Sequence, residues 1–152
     1  MKKVFLILSL VFAATFSMNG QDISDNTIGL RLGSNDGFGS EITYQKNLTD
    51  NNRLEINLGL RNSFSDLKLI GLYEWVWELE GDFNWYAGAG AGIYDANSTA
   101  IFASGVVGIE YDLSADTDLP LLISLDYRPE IGITGDLNGL NSDLGLSIRY
   151  QF

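Results

Sequence analysis

Three stretches carry residues spaced as if for chemistry. "DLSADTD" sets Asp112, Ser114, Asp116 and Asp118 at alternate positions, like the opening of a calcium loop. The sixth position is Thr117 instead of glycine and the twelfth is Ile123 instead of glutamate, so bend and closing ligand are both missing. A solvated turn is expected there, and no metal site. "YAGAGAGIY" puts Gly88, Gly90 and Gly92 on one face of an extended segment. A phosphate-cradling glycine loop would have to open a helix, and no helical pattern follows. Strand glycines more often mark close approach, so bulky side chains opposite are expected to fill the space, with a small pocket as the other reading. "LDYRPE" aligns Asp126, Arg128 and Glu130 on one face. Paired carboxylates can do the acid–base work of a glycosidase, or they can be ion-paired packing.

Whole classes of chemistry are excluded by composition. The 152 residues contain no cysteine and no histidine. Disulfides, thiolate metal sites, cysteine nucleophiles and the commonest general base go with them. The net charge is −11, an acidic balance that repels phosphate backbones and argues against nucleic-acid partners. No cofactor-binding pattern is present.

Residues 1–20 read as a secretory signal peptide: Lys2 and Lys3, then the apolar run 4–16, then small and polar residues. The run is too short for a spanning helix, which needs about 20 apolar residues. Residues 21–152 then form one domain.

That domain alternates. Eight segments are predicted as strands: 27–34, 38–48, 53–64, 67–79, 84–94, 101–113, 120–130 and 142–152. The longest connection predicted is 131–141. Side chains on a strand point alternately to opposite faces. When each apolar face is assigned, fifteen of sixteen strand charges fall on the other face. These are Arg31, Glu41, Arg53, Glu55, Arg61, Lys68, Glu74, Glu78, Glu110, Asp112, Asp126, Arg128, Glu130, Asp143 and Arg149. Lys46, near a strand end, is the exception. The fourth and fifth strands fit least well, because Ile70, Leu72 and Val76 share the charged face of one and the other is nearly all Gly and Ala.

Two barrels fit such a pattern: a soluble one with its apolar face inward around a ligand, and a membrane one with that face outward. The aromatics favour the second. With both termini on one side, Tyr44, Trp75, Trp77, Trp85, Tyr111, Tyr150 and Phe152 gather at that end, and Phe38, Phe64 and Tyr127 at the other. Two such belts are expected of a membrane boundary. An aqueous surface would not exclude charge in this way. The predicted fold is therefore all-β: an eight-stranded antiparallel up-and-down transmembrane β-barrel with a polar, side-chain-filled lumen. The last strand, "DLGLSIRYQF", closes the sheet against the first, so no open edge meets lipid.

The stretches "GLYEW…NWYAGAGAGI", "GVVGIEYDL…LPLLISLDYRPE" and the terminal strand ending in Phe152 resemble the small eight-stranded outer-membrane β-barrel proteins of bacteria, especially those of Bacteroidota. The resemblance implies a place in the bacterial outer membrane, contact with its lipid, and insertion by the outer-membrane assembly machinery with periplasmic chaperones. It implies no particular activity. A closed barrel needs no partner subunit, and a monomer is expected.

Arg31, Glu41, Glu55, Arg61, Glu110, Asp126, Arg128, Glu130 and Arg149 are the candidate lumen ion pairs, and Gly88, Gly90 and Gly92 the candidate pocket. Two non-enzymatic functions follow: an envelope barrel with minor small-solute passage, or a carrier of a small hydrophobic or lipid-like ligand in a lumen or lateral pocket. Barrels of this size that modify lipid A use a histidine-assisted serine, which a chain without histidine cannot supply.

Overall fold

The computed structural model describes residues 24–34, 40–61, 66–96, 98–135 and 140–152. Eight strands form: β1 (Asn26–Gly33), β2 (Glu41–Thr49), β3 (Asn52–Arg61), β4 (Asp66–Glu80), β5 (Phe83–Asp95), β6 (Thr99–Asp112), β7 (Leu121–Thr134) and β8 (Leu140–Gln151). Each pairs antiparallel with its sequence neighbour, and β8 returns to β1, from Thr27 opposite Gln151 to Gly33 opposite Gly145. The sheet is closed, so every strand has two neighbours.

Register sets the dimensions. Stepping across the sheet from Gln151, the paired residues are Thr27, Gln45, Glu55, Leu72, Gly90, Ser104, Glu130 and then Asn141. The walk returns to β8 ten residues from its start. Eight strands with that stagger tilt by about 40° from the barrel axis. Such a barrel is just wide enough for its own side chains.

The wall obeys the predicted alternation. Leu30, Leu146 and Ile148 are about half exposed on the outside, and Arg31, Ser147 and Arg149 between them are buried inside. Lys46 is exposed, as expected of a lone charge near a strand end. At the end where β1 begins and β8 ends, aromatic rings pair on the outer surface. Trp77 stacks on Trp85 at 4.3 Å, Phe83 tilts against Tyr111 at 4.6 Å, and Tyr150 lies 6.3 Å from Phe152.

Several expectations are corrected. β7 runs to Thr134 and β8 starts at Leu140, so the predicted long connection 131–141 is mostly strand. Ile131 and Ile133 keep the outward alternation that the intervening glycine obscured. Tyr127 consequently sits mid-strand, opposite Val107 and Leu144, and not in an outer belt. "DLSADTD" is not a plain turn: α1 (Leu113–Asp116) forms there. Asp112 caps it by accepting from the Ser114 backbone N–H, and Asp116 accepts from the Tyr111 hydroxyl. Three of the four alternating residues, Asp112, Ser114 and Asp116, are thus bonded locally. The signal peptide, Phe38, Phe64 and the outer ends predicted for the second and third strands lie outside the described residues.

Candidate functional site

The chemistry of this chain is concentrated in the lumen. Twelve charged side chains are buried there among the described residues: Glu41, Glu55, Glu74, Glu110, Asp126, Glu130 and Asp143 against Arg31, Arg53, Lys68, Arg128 and Arg149. A buried charge without a partner is strongly destabilising, so pairing is the first requirement. The geometry meets it. Arg31 from β1 reaches Asp126 on β7 and Asp143 on β8, both at 2.5 Å, with Glu41 of β2 at 3.6 Å. Arg128 from β7 crosses to Glu41 at 2.9 Å and to Glu55 of β3 at 3.1 Å. Arg149 from β8 meets Glu55 at 2.9 Å. Arg53 joins Glu74 of β4 at 2.6 Å and Glu110 of β6 at 2.8 Å. Lys68 and Glu130 pair at 2.7 Å.

Glu55 is the hub. Besides two arginines it accepts from the amides of Gln45 at 2.6 Å and Asn57 at 2.7 Å. Arg149 spends its remaining donors on Thr43 and Ser124 hydroxyls. Arg31, Arg128 and Arg149 with their acids tie β1, β2, β3, β7 and β8 into one network, while Arg53 separately joins β3 to β4 and β6, and Lys68 joins β4 to β7. A charge-assisted hydrogen bond is about twice as strong as a neutral one, and the low effective dielectric around buried groups strengthens it further.

Eight of the nine predicted ion-pair candidates are members. The ninth, Arg61, ends β3, and its side chain lies outside the described residues. The local cluster expected of "LDYRPE" does not pair within itself. Asp126, Arg128 and Glu130 share a face, but each binds a different strand. Arg53, Lys68, Glu74 and Asp143 are equal members, placed on this face by alternation though not singled out as candidates. Gln45, Asn57, Thr43 and Ser124 were missed; stepping two residues along each strand from a candidate finds them. Two expected interior charges lie at the margin. Asp112 is half-buried at the mouth, and Glu78 is exposed. The last β3–β4 pair is Asn52 with Trp75, so Glu78 extends past the β3 wall.

The lumen has an apolar part as well as a polar one, on the side of β4 to β6, beside Lys68, Glu74 and Glu110 of the same strands. Ile70, Leu72 and Val76 point inward and pack with Tyr86, Phe102 and Val106. This apolar cluster answers the misfit of the fourth and fifth strands. β5 carries glycine at alternate inward positions, so side chains of β4 and β6 lean over it. A Cβ on Gly92 would strike the Phe102 ring; one on Gly88 would meet Glu74, and one on Gly90 the Gly71–Leu72 main chain. The space those glycines leave is filled by adjacent strands, not from across the barrel. The two halves meet through rings: the Arg53 guanidinium lies 4.7 Å over Tyr86, and the Lys68 ammonium 5.4 Å from Phe102.

A closed antiparallel sheet with an apolar exterior and an ion-paired interior defines the class: an eight-stranded transmembrane β-barrel. Solved structures agree on that fold. The N-terminal β-barrel domain of Pseudomonas aeruginosa OprF superposes with a TM-score of 0.64 at 15% identity, covering 88% of this chain and 100% of that one. A de novo designed transmembrane β-barrel gives 0.62 at 16% identity over the same shares. Neisserial surface protein A gives 0.57 at 15% identity, covering 84% of this chain and 94% of that one. No family model matches the chain, and no curated protein matches it in sequence.

Proposed function

We propose that this chain is an integral protein of the bacterial outer membrane with a structural role in the envelope, its lumen held shut by its own side chains. In this reading it is a monomer whose partners are membrane lipid and, during biogenesis, the assembly machinery and periplasmic chaperones; it catalyses no reaction. One observation carries the proposal: Arg31, Arg128, Arg149 and Glu55, from four different strands, are all at most 1% exposed and joined through Glu41 and Glu55 across the axis. Ions and solutes would have to break that lattice to pass, so passage is minor. The test is conductance in planar bilayers. Steady open channels from the unaltered protein would sink the closed-lumen reading; occasional small events fit it.

A second reading, a carrier of a lipid-like ligand, draws on one feature. Leu30 and Leu32 of β1, Ile123 of β7, and Leu146 and Ile148 of β8 line an apolar groove of about 240 Å³ on the outer wall. It lies at the closing seam, away from Gly88, Gly90 and Gly92. Native mass spectrometry separates the readings: a lipid retained one-to-one and lost on Leu146→Ala favours the carrier.

A further inference from the structure

Among the basic side chains described, Lys46 alone is exposed; Arg31, Arg53, Lys68, Arg128 and Arg149 are all buried in the lumen. The Lys46 ammonium has no ion-pair partner among the described residues. Register sets Lys46 opposite Asn26 of β1, the next pair on the outer face after Ile28 with Tyr44. Asn26 in turn exchanges backbone hydrogen bonds with Phe152, at 3.2 and 3.0 Å. The lysine thus shares its level with the aromatic rings at this end of the barrel. Such rings sit at the headgroup level of a membrane, and a lysine there holds its ammonium in the same layer. A second donor stands beside it. The Tyr44 hydroxyl donates to Asn26 Oδ1 at 2.7 Å, which occupies the amide oxygen and leaves Nδ2 without a partner among the described residues. Paired residues on one face carry their Cβ atoms about 5 Å apart, so both donors can reach one phosphate. The apolar groove of β1, β7 and β8 continues from this level toward the midplane. Leu30 lies about 13 Å along β1 from Asn26, and Leu32 about 20 Å. At a tilt of about 40° the longer path descends about 15 Å, the hydrocarbon depth of one leaflet. Elsewhere at this end the charge is of the other sign: Glu78 and Glu80, which finish β4, and Asp116 of α1 are exposed. An anionic headgroup is repelled there and attracted at Lys46.

We propose that the outer wall at the β1–β2 and β1–β8 pairs holds one anionic glycerophospholipid. Its phosphate accepts from Lys46 Nζ and Asn26 Nδ2, and one acyl chain lies along Leu30, Leu32 and Leu146. The inference rests on the groove of the second reading above and deepens it by naming the headgroup. A zwitterionic lipid fills the groove as well, but it brings a positive group beside Lys46 and loses the charge contact.

The experiment offers the folded full chain, in maltoside micelles, equal amounts of phosphatidylglycerol and phosphatidylcholine with the same acyl chains, and reads the retained lipid by native mass spectrometry. Phosphatidylglycerol should be retained one-to-one and about fivefold over phosphatidylcholine, the preference that one lysine near the surface confers. Lys46→Gln should abolish the preference while gel mobility stays heat-modifiable, and Lys46→Arg should keep it. Leu146→Ala should lower retention of both lipids. Equal retention of the two lipids by the unaltered protein would overturn the headgroup assignment and leave the groove reading standing. So would a preference that survives Lys46→Gln. Retention of neither lipid would overturn both, and a lipid-free mass of two chains would put a second copy on the groove and overturn both as well.

Discussion

At the scale of the residue, Glu55 is where the lumen is most exposed to a single change. It holds two arginines and two amides. Glu55→Leu leaves buried guanidinium charge uncompensated, at a cost of about 3–5 kcal/mol. Glu55→Gln keeps an acceptor and should cost less. Urea unfolding in lipid vesicles ranks the two, and equal midpoints would show that the retained acceptor is immaterial. Glycines divide by what they face. The Arg31 guanidinium lies against Gly145, where an added Cβ has no room, whereas nothing lies within 4 Å of a Cβ at Gly71. Gly145→Val should cost about 1–3 kcal/mol by displacing Arg31 from Asp126 and Asp143. Gly71→Ala should be close to neutral. Matching losses in a thermal gel-shift assay would contradict this assignment of space.

The element scale is governed by alternation, and its readout is the lipid face. Leu146 lies mid-seam, opposite Leu32 of β1 and Leu125 of β7. Leu146→Arg should destabilise by about 2–4 kcal/mol, because an arginine near the midplane cannot reach water. Leu140, the first residue of β8, should tolerate the same change for about 1 kcal/mol or less. Folding free energies in vesicles of one lipid composition compare them; similar penalties would mean that the outer wall does not face hydrocarbon. Period-two patterning was legible wherever polar and apolar residues were large. It faded at β5, where alanine and glycine hide the faces, and beyond Glu130, where Gly132 interrupts the apolar beat. The inward Ile70, Leu72 and Val76 broke the simple rule because a lumen has two fillings. Which one a strand contributes depends on what its neighbours leave empty.

For the whole molecule the decisive quantity is closure. The fourteen residues of β6 rise about 35 Å at a tilt of about 40°, enough for an outward apolar band about 25 Å tall. The aromatic rings at the end where β8 finishes mark one edge of that band. A closed barrel of this kind should resist detergent, so the unboiled protein should migrate differently from the boiled one on a gel. Identical mobility in a sample whose circular dichroism is that of folded β-sheet would argue against closure.

Strand number, inward and outward faces, the acidic balance and the lack of thiol and imidazole chemistry were determined by the sequence alone, because alternation and composition are local properties of the chain. The partners of each charge were decided only in three dimensions. Arg31 and Asp126 stand ninety-five positions apart, and a stagger of ten residues around eight strands brings them together. That stagger arises from the sum of eight registers, including the bulges at Asn47/Thr49, Glu78/Glu80 and Ile101/Phe102. No single strand encodes it. The same geometry left Arg53 Nη2 and Asn84 Oδ1 buried without a hydrogen bond among the described residues, a feature that no spacing in the sequence could announce.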